Sequence, residues 1–534
     1  MARRKTDPTH IELMDTTLRD GEQTPEVAYT PPEKLQLARL LLLEVGVDRI
    51  EIASTRVSAG EQEAARLITD WARRRRLLSR IEILGYCDGR ASVDWIRDSG
   101  GKVLNLLTKG SEAHCRTQLR MTPERHRNAV AETVRAAHKK RLGVNAYLED
   151  WSAGVRDSFD YVFALTRLLI DLGVKRIYLP DTLGNFSPDD VTRWVGLMVE
   201  TWPDGIFEFH GHNDYGLATA NGLAAVRAGA RGLHTSVNGM GERTGNTRLA
   251  ETVAAVHDHS PYRTAVNENS LAGISRMVET LSGKDLAANT PIVGRDVFTH
   301  AAGIHADGDL KGELYTTRLA PQRFGQKRRF ALGKLSGKAS LDANLKTLGI
   351  DLTSQERALV LQRVIELGDK KHTVTTQDLP YLIADVLKSP ERRPVRVLSY
   401  DVRVGTDRAP EAEVVLALRN RRSRATSTGD GGYDAFMNAL KKAAKRLDLE
   451  VPRLADFRVR IPPGGRTGAL VETVITWHPD GGEEAAFSTL GVDSDQLAAA
   501  VIATEKMLNA VAPPAPKQRA AKRGRKRPRA SSRT

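Results

Sequence analysis

Two cysteines, Cys87 and Cys115, are all that this 534-residue chain contains, which excludes a disulfide framework or a cysteine-built zinc site and fits a reducing, cytoplasmic setting. No apolar run approaches the roughly 18 to 20 residues needed to span a bilayer. The N-terminal stretch MARRKTDPTHIELMD has basic residues but no apolar segment behind them, so no secretory signal is expected. A glycine-rich phosphate loop after the first predicted strand is also missing, which argues against a doubly wound dinucleotide fold. No short-period solenoid repeat is present.

The formal net charge is +14, but nine basic residues and no acidic one fall between Pro513 and Thr534. The rest of the chain is therefore close to neutral, and no specific nucleic-acid partner is expected from it. The tail, rich in Pro, Ala and Ser, reads as a disordered extension, with weak contact to a polyanion as the other reading.

Short β-rich runs alternate with amphipathic stretches along the first half, the signature of a parallel sheet. The predicted strands are His10–Met14, Asp48–Ala53, Arg80–Gly85, Val103–Leu107, Asn145–Leu148, Arg176–Leu179, Ile206–His210 and Gly232–Ser236. Helical spacing is evident over Pro32–Val45, Gln62–Arg75, Pro123–Arg141, Ser158–Leu172 and Leu217–Ala228. Eight such units over about 250 residues match an α/β chain folded as a (β/α)8 TIM barrel. Polar exits such as DTTLRDGEQ, TKG, ED, PDTLGN, HGHND and VNGMGERTGN follow the strands, where barrel enzymes place their chemistry. The expected domains are the catalytic barrel (8–264), a helical connecting region (265–392), a C-terminal α+β regulatory domain with a repeated ββα pattern (393–512) and the basic tail (513–534).

His210 and His212 stand two apart at the end of a strand, so both side chains point to one face. With Asp20 at the exit of strand one they form a donor set suited to a divalent transition metal. The spacing alone is a weak signal. Asn246, in the run GMGERTGN, offers an amide oxygen to the same site, or else belongs to a tight loop built on its glycines. Arg19 beside Asp20 can hold a carbonyl or carboxylate oxygen in two contacts, or serve as a structural ion pair with a nearby Glu. Glu149, at the end of strand five, is a candidate base or orienting group, or a solvated carboxylate. His305, Asp307 and Tyr315 add proton-transfer groups in the connecting region.

Taken together, LMDTTLRDGEQTP, YLEDW, LPDTLG, FHGHNDYGLA, NGMGERTGN and GIHADGD resemble the acyl-CoA Claisen-condensing barrel family, which includes 2-isopropylmalate, homocitrate and (R)-citramalate synthases. The resemblance runs from about residue 8 to residue 510. It implies a divalent ion (manganese foremost; zinc, cobalt or magnesium otherwise) on Asp20, His210, His212 and Asn246, and acetyl-CoA as co-substrate. It further implies Arg19 on the ketone, Thr182 on the substrate carboxylate, and Glu149 organising proton removal with His305, Asp307 and Tyr315. A homodimer is implied as well.

Within the family, RIEILGYCDGRASVDWIRDSGGKVLNLLTKGS, DGGYDAFMNAL and RIPPGGRTGALVET resemble the citramalate branch. That implies pyruvate as substrate, an isoleucine-producing route, and Leu84, Leu107 and Tyr147 around a small alkyl pocket, unless these three merely pack the barrel mouth. An isoleucine effector would then meet Tyr433, Asp434, Leu454, Phe457, Ile461, Thr467 and Gln496. Phe457 stands where the pattern favours Tyr, Ser494 where it favours Pro, and Glu313 where it favours Asn. The competing readings are a 2-isopropylmalate synthase acting on 2-oxoisovalerate, a lyase on the same barrel, and a basic nucleic-acid binder.

Overall fold

A computed structural model describes residues 9–312, 314, 317–369, 374–387, 394–460, 471–478 and 487–512. The basic tail lies outside the described residues. The chain divides into two compact units, one reaching Thr299 and adding Thr316–Arg329, the other formed by His300–Tyr315 and the chain from Phe330 onward.

In the first unit eight strands close into a single parallel barrel: β1 (Glu12–Asp15), β2 (Arg49–Ser54), β3 (Ile81–Tyr86), β4 (Val103–Lys109), β5 (Gly143–Glu149), β6 (Ile177–Asp181), β7 (Phe207–Gly211) and β8 (Gly232–Thr235). All eight expected strands are present, with ends shifted by no more than two residues. β6 and β7 are buried at every position, because helices cover the outer face while the barrel interior fills the inner one.

Local signals start and stop the outer helices. Thr30 and Glu33 form a capping box ahead of Pro31–Leu40, and Ser187 and Asp190 do the same for Pro188–Thr201. The helix expected over Pro32–Val45 is regular only to Leu40. Leu41–Val45 widen into a π-turn that Gly46 ends at φ 81°, a conformation few side chains tolerate.

The N-terminal end of the barrel interior is ionic. Arg49 donates to Glu82 at 2.9 Å, to Glu208 at 2.6 and 2.7 Å, and to Glu12 at 3.1 Å. Arg176 adds a 2.6 Å contact to Glu208 and pairs with Glu12. The Tyr178 hydroxyl donates to Glu82 at 2.8 Å. Buried charges persist only when partnered this fully.

The second unit holds the helices Gly303–Gly312, Lys338–Thr347, Ser354–Asp369 and Leu379–Val386, then the α+β module. Each half of that module has one strand more than the ββα reading. Val395–Gly405, Arg408–Leu418 and Arg421–Thr428 form one antiparallel sheet, and Arg453–Arg460, Val471–His478 and Phe487–Asp493 form the other. A helix follows each sheet, Gly432–Lys445 and Gln496–Val511. The segment RRSRATST carries only small buried side chains, Ser423 and Ala425, between exposed arginines and polar residues, so its alternation is hard to read. Both halves share one apolar core that includes Phe436, Leu440, Ile475, Trp477 and Met507.

Candidate active site

The turn after β1 sets the first two side chains. The amides of Arg19, Asp20 and Gly21 all donate to the Thr16 carbonyl, at 3.0, 2.9 and 3.0 Å. The chain is thereby pinched so that Arg19 and Asp20 enter the barrel mouth side by side. A Cβ on Gly21 would sit 3.1 Å from the Met240 Cβ, so glycine permits the β1 and β8 loops to approach.

Asp20, His210 and His212 converge there, all buried, with one ligand atom from each lying within 4.8 Å of the others. His210 Nε2 is 3.1 Å from Asp20 Oδ2 and 3.3 Å from His212 Nε2. Donor atoms about 2.1 Å from one ion lie roughly 3.0–3.4 Å apart, so this spacing suits a shared cation. Burial and the neighbouring His210 pull the His212 imidazole down to about 4, which leaves it neutral and able to donate a lone pair. Burial alone would raise the Asp20 carboxyl, but Arg19 and His210 outweigh it and hold it well below the usual range.

Asn246 closes this edge. Its Nδ2 donates to Asp20 Oδ2 at 2.8 Å, and its Oδ1 is buried without a hydrogen-bond partner. Rotation of the amide by a half-turn would exchange the two atoms. An orphaned buried oxygen beside a carboxylate and two imidazoles is a donor set that fits a divalent ion.

Arg19 is fixed on three sides. Its Nε donates to Glu51 at 2.5 Å, its Nη1 to Asp20 at 2.8 Å and its Nη2 to the Tyr147 hydroxyl at 3.3 Å. The ion pair with a nearby Glu that the sequence allowed is therefore present, and it orients the guanidinium beside Asp20, His210 and His212. Glu51 also receives Asn105 at 2.7 Å and the Tyr147 hydroxyl at 3.2 Å. Sequence reasoning missed Glu51. Its signal was a second charged residue, two after Arg49, in the short buried strand RIEIAS.

Leu84 and Tyr147 pack with Met14 and Tyr178 in one buried cluster, with Leu107 against it. Thr182 follows β6, and its hydroxyl oxygen accepts the Asp150 amide at 2.9 Å. Arg243, from the glycine-rich run, donates to the Thr182 carbonyl at 2.8 Å and pairs with Asp214 at 2.8 Å, tying the loops after β6, β7 and β8 together. Glu149 is the register partner of Lys109 across β4 and β5, and the two side chains form an ion pair. Lys109 too escaped the sequence reading, although TKG was recognised as a strand exit.

In the second unit, His305 and Asp307 lie on the helix Gly303–Gly312. Tyr315 lies outside the described residues, as do Ile461 and Thr467 of the expected effector set. Of the remainder, Tyr433 and Phe457 are in contact, with ring centroids 5.0 Å apart, and the Tyr433 hydroxyl is 2.7 Å from that of Thr504. Asp434 is exposed and accepts the Asp430 amide at 3.0 Å. Leu454 and Gln496 are exposed.

Three family models cover the chain from residue 10 to residue 512 almost without a gap. HMGL-like matches residues 10–278, homocitrate synthase post-HMGL domain-like matches 292–372, and LeuA allosteric (dimerisation) domain matches 373–512. A Methanopyrus kandleri protein assigned as an (R)-citramalate synthase is 34% identical over 89% of this chain and 92% of its own length. The chain belongs to the 2-isopropylmalate synthase/citramalate synthase family. A second Methanopyrus kandleri protein, assigned as a 2-isopropylmalate synthase, is also 34% identical, over 95% of this chain and 99% of its own length. A 2-isopropylmalate synthase of Neisseria meningitidis serogroup B is 32% identical over 82% of this chain and 86% of its own length.

As a member of that family, the chain is a Claisen-type acyltransferase that condenses acetyl-CoA with a 2-oxo acid. Its C-terminal module is an allosteric and dimerisation domain, the mark of a feedback-regulated homodimer in amino-acid biosynthesis. Among the described residues no helix is long and apolar enough to cross a membrane.

Proposed function

We propose that the 2-oxo acid is pyruvate and the product (R)-citramalate. Overall identity does not choose between pyruvate and 2-oxoisovalerate, since two relatives at 34% carry different assignments. The observation that supports pyruvate is the cluster of Leu84, Leu107 and Tyr147 around Met14 and Tyr178. The hydrogen bonds on its hydroxyl tether Tyr147, so this wall does not swing aside. If these bulky side chains bound the alkyl group, an isopropyl group brings two more carbons against them than a methyl does, and forced overpacking costs about 1–3 kcal/mol or more.

A divalent ion held by Asp20, His210, His212 and Asn246 would supply Lewis-acid polarisation of the substrate ketone. Arg19 donates hydrogen bonds to the same oxygen, and Thr182 binds the substrate carboxylate. Glu149 organises removal of a proton from the acetyl-CoA methyl group, and His305, Asp307 and Tyr315 keep the proton-transfer roles that the family resemblance implies. The methyl carbon then bonds to the ketone carbon, and the ketone oxygen becomes a hydroxyl. Water cleaves the thioester to a carboxylate and free CoA. Isoleucine is the proposed feedback effector, bound at the residues around Tyr433 and Phe457.

The test is CoA release with pyruvate, 2-oxoisovalerate and 2-oxoglutarate in parallel. The highest kcat/KM is expected for pyruvate, and a clear preference for 2-oxoisovalerate would overturn the proposal.

A further inference from the structure

We propose that Lys109 is a positioning residue, held by a clamp of His126 and Tyr161 so that its ammonium fixes the Glu149 carboxylate at the barrel mouth. This rests on the reading of Glu149 as the organiser of proton removal.

Lys109 ends β4 and is only 7% exposed. An unanchored surface lysine could neutralise Glu149, but it would spend rotamer freedom to do so and fix little. Lys109 is anchored through its backbone by two outer helices. Its amide N–H points at His126 Nε2, 3.4 Å away, and its carbonyl accepts the Tyr161 hydroxyl at 2.9 Å. His126 Nδ1 is 2.8 Å from the Tyr161 oxygen. Tyr161 has one proton, and giving it to Lys109 leaves its oxygen to accept from His126. That puts the imidazole proton on Nδ1 and the lone pair on Nε2, facing the Lys109 amide. One neutral tautomer therefore satisfies every group. His126 is fully buried, and burial with the nearby Lys109 charge pulls its imidazole down to about 4, which keeps that tautomer in place.

The following residues tighten the grip of β4 on β5. The Gly110 amide donates to the Glu149 carbonyl at 2.5 Å. A Cβ on Gly110 would fall 2.3 Å from the Leu148 carbonyl oxygen, so the strand ends approach more closely than any side chain allows. Ser111 Oγ donates to Asp150 Oδ2 at 2.6 Å, and Asp150 adopts φ 65°. Lys109, Gly110 and Ser111 thus hold Glu149 and Asp150 at three successive points. A polar pair between a helix layer and a strand costs desolvation that two apolar residues would avoid, and positional control of Lys109 is the return for that cost.

The experiment compares Glu149→Gln, Lys109→Met, Lys109→Arg and Tyr161→Phe in the full-length enzyme, by CoA release and thermal unfolding. Glu149→Gln should lower kcat by about 10²–10⁴. Lys109→Met should lower kcat roughly 10- to 100-fold with both KM values within about threefold of the parent. Lys109→Arg should recover most of that loss, and Tyr161→Phe should lower kcat at least about threefold. If Glu149→Gln is inactive while Lys109→Met keeps parental kcat, Glu149 stands and the positioning role falls. Equal losses in Lys109→Met and Lys109→Arg also overturn it, since charge would then not matter. If Glu149→Gln retains parental kcat, the reading of Glu149 fails and takes the proposal with it. Should Lys109→Met not fold, an unchanged kcat in Tyr161→Phe is the overturning result.

Discussion

The Asp150 amide donates to the Thr182 hydroxyl at 2.9 Å, so the end of β5 and the loop after β6 are fastened to one another through a side chain proposed to bind substrate. The hydroxyl accepts in this bond and keeps its own proton for a substrate carboxylate. Thr182→Val removes both interactions. KM for the 2-oxo acid should rise about 10- to 100-fold, the worth of a hydrogen bond to a charged group, and Thr182→Ser should recover most of it. An unchanged KM in Thr182→Val would remove Thr182 from the substrate site.

His212→Ala deletes one of three converging donors. Bound manganese or zinc, measured by elemental analysis after dialysis, should fall well below one per chain, and turnover should become undetectable while the circular dichroism spectrum is retained. Metal-dependent activity at parental levels would rule out the ligand assignment.

The pocket wall makes a separate prediction about selectivity. Leu84→Ala removes three carbons beside Tyr147, so kcat/KM for 2-oxoisovalerate relative to pyruvate should rise roughly 10- to 100-fold. No change in that ratio would show that Leu84 does not bound the alkyl group.

Arg49 answers Glu82, Glu208 and Glu12 in the barrel interior. Burial alone would raise the Glu208 carboxyl, but Arg49, His234 and Arg176 outweigh it and hold it well below the usual range. Arg49→Met strands these carboxylates, and urea unfolding should show a loss of about 3–5 kcal/mol. A loss under about 1 kcal/mol would mean the network contributes nothing net.

Glu268 carries the pH prediction. Its partial burial would raise the carboxyl, but hydrogen bonds from His257 and Arg323 and the Arg323 charge outweigh it, bringing it from 4.5 down to about 2. Between those values the unfolded chain binds the proton more readily than the folded one. The stabilisation is therefore complete above about pH 4.5 and is lost as pH falls toward 2. The parent should melt higher than Glu268→Gln at pH 7, and the gap should close over that window. A gap that persists unchanged at pH 2.5 would contradict the assignment.

Much of the fold was legible because the barrel strands are short, apolar and bounded by polar exits, and His210, His212, Arg19 and Asp20 could be placed at one mouth from strand order alone. Less visible were residues whose meaning depends on a partner distant in sequence. Glu51 reads as an ordinary polar position in RIEIAS until Arg19 is beside it, and Lys109 as a surface lysine until β5 brings Glu149 alongside. His126 looks like one more polar residue on the helix Pro123–Lys139, yet it faces a strand end. The third strand of the first half of the module was missed for a different reason. In RRSRATST the buried side chains are too small to give an apolar alternation, and the exposed arginines dominate the pattern.

The ion-paired set along the barrel axis consists of Glu12, Glu51, Glu82, Glu208 and Asp20 against Arg19, Arg49 and Arg176. Within this ion-paired set five carboxylates face three guanidinium groups, an excess of two, the charge that one divalent ion would return. The proposed metal site would then draw on charges beyond the atoms able to touch the ion, and a charge substitution as deep as Glu82 or Arg176 should be felt as a change in metal affinity at the mouth.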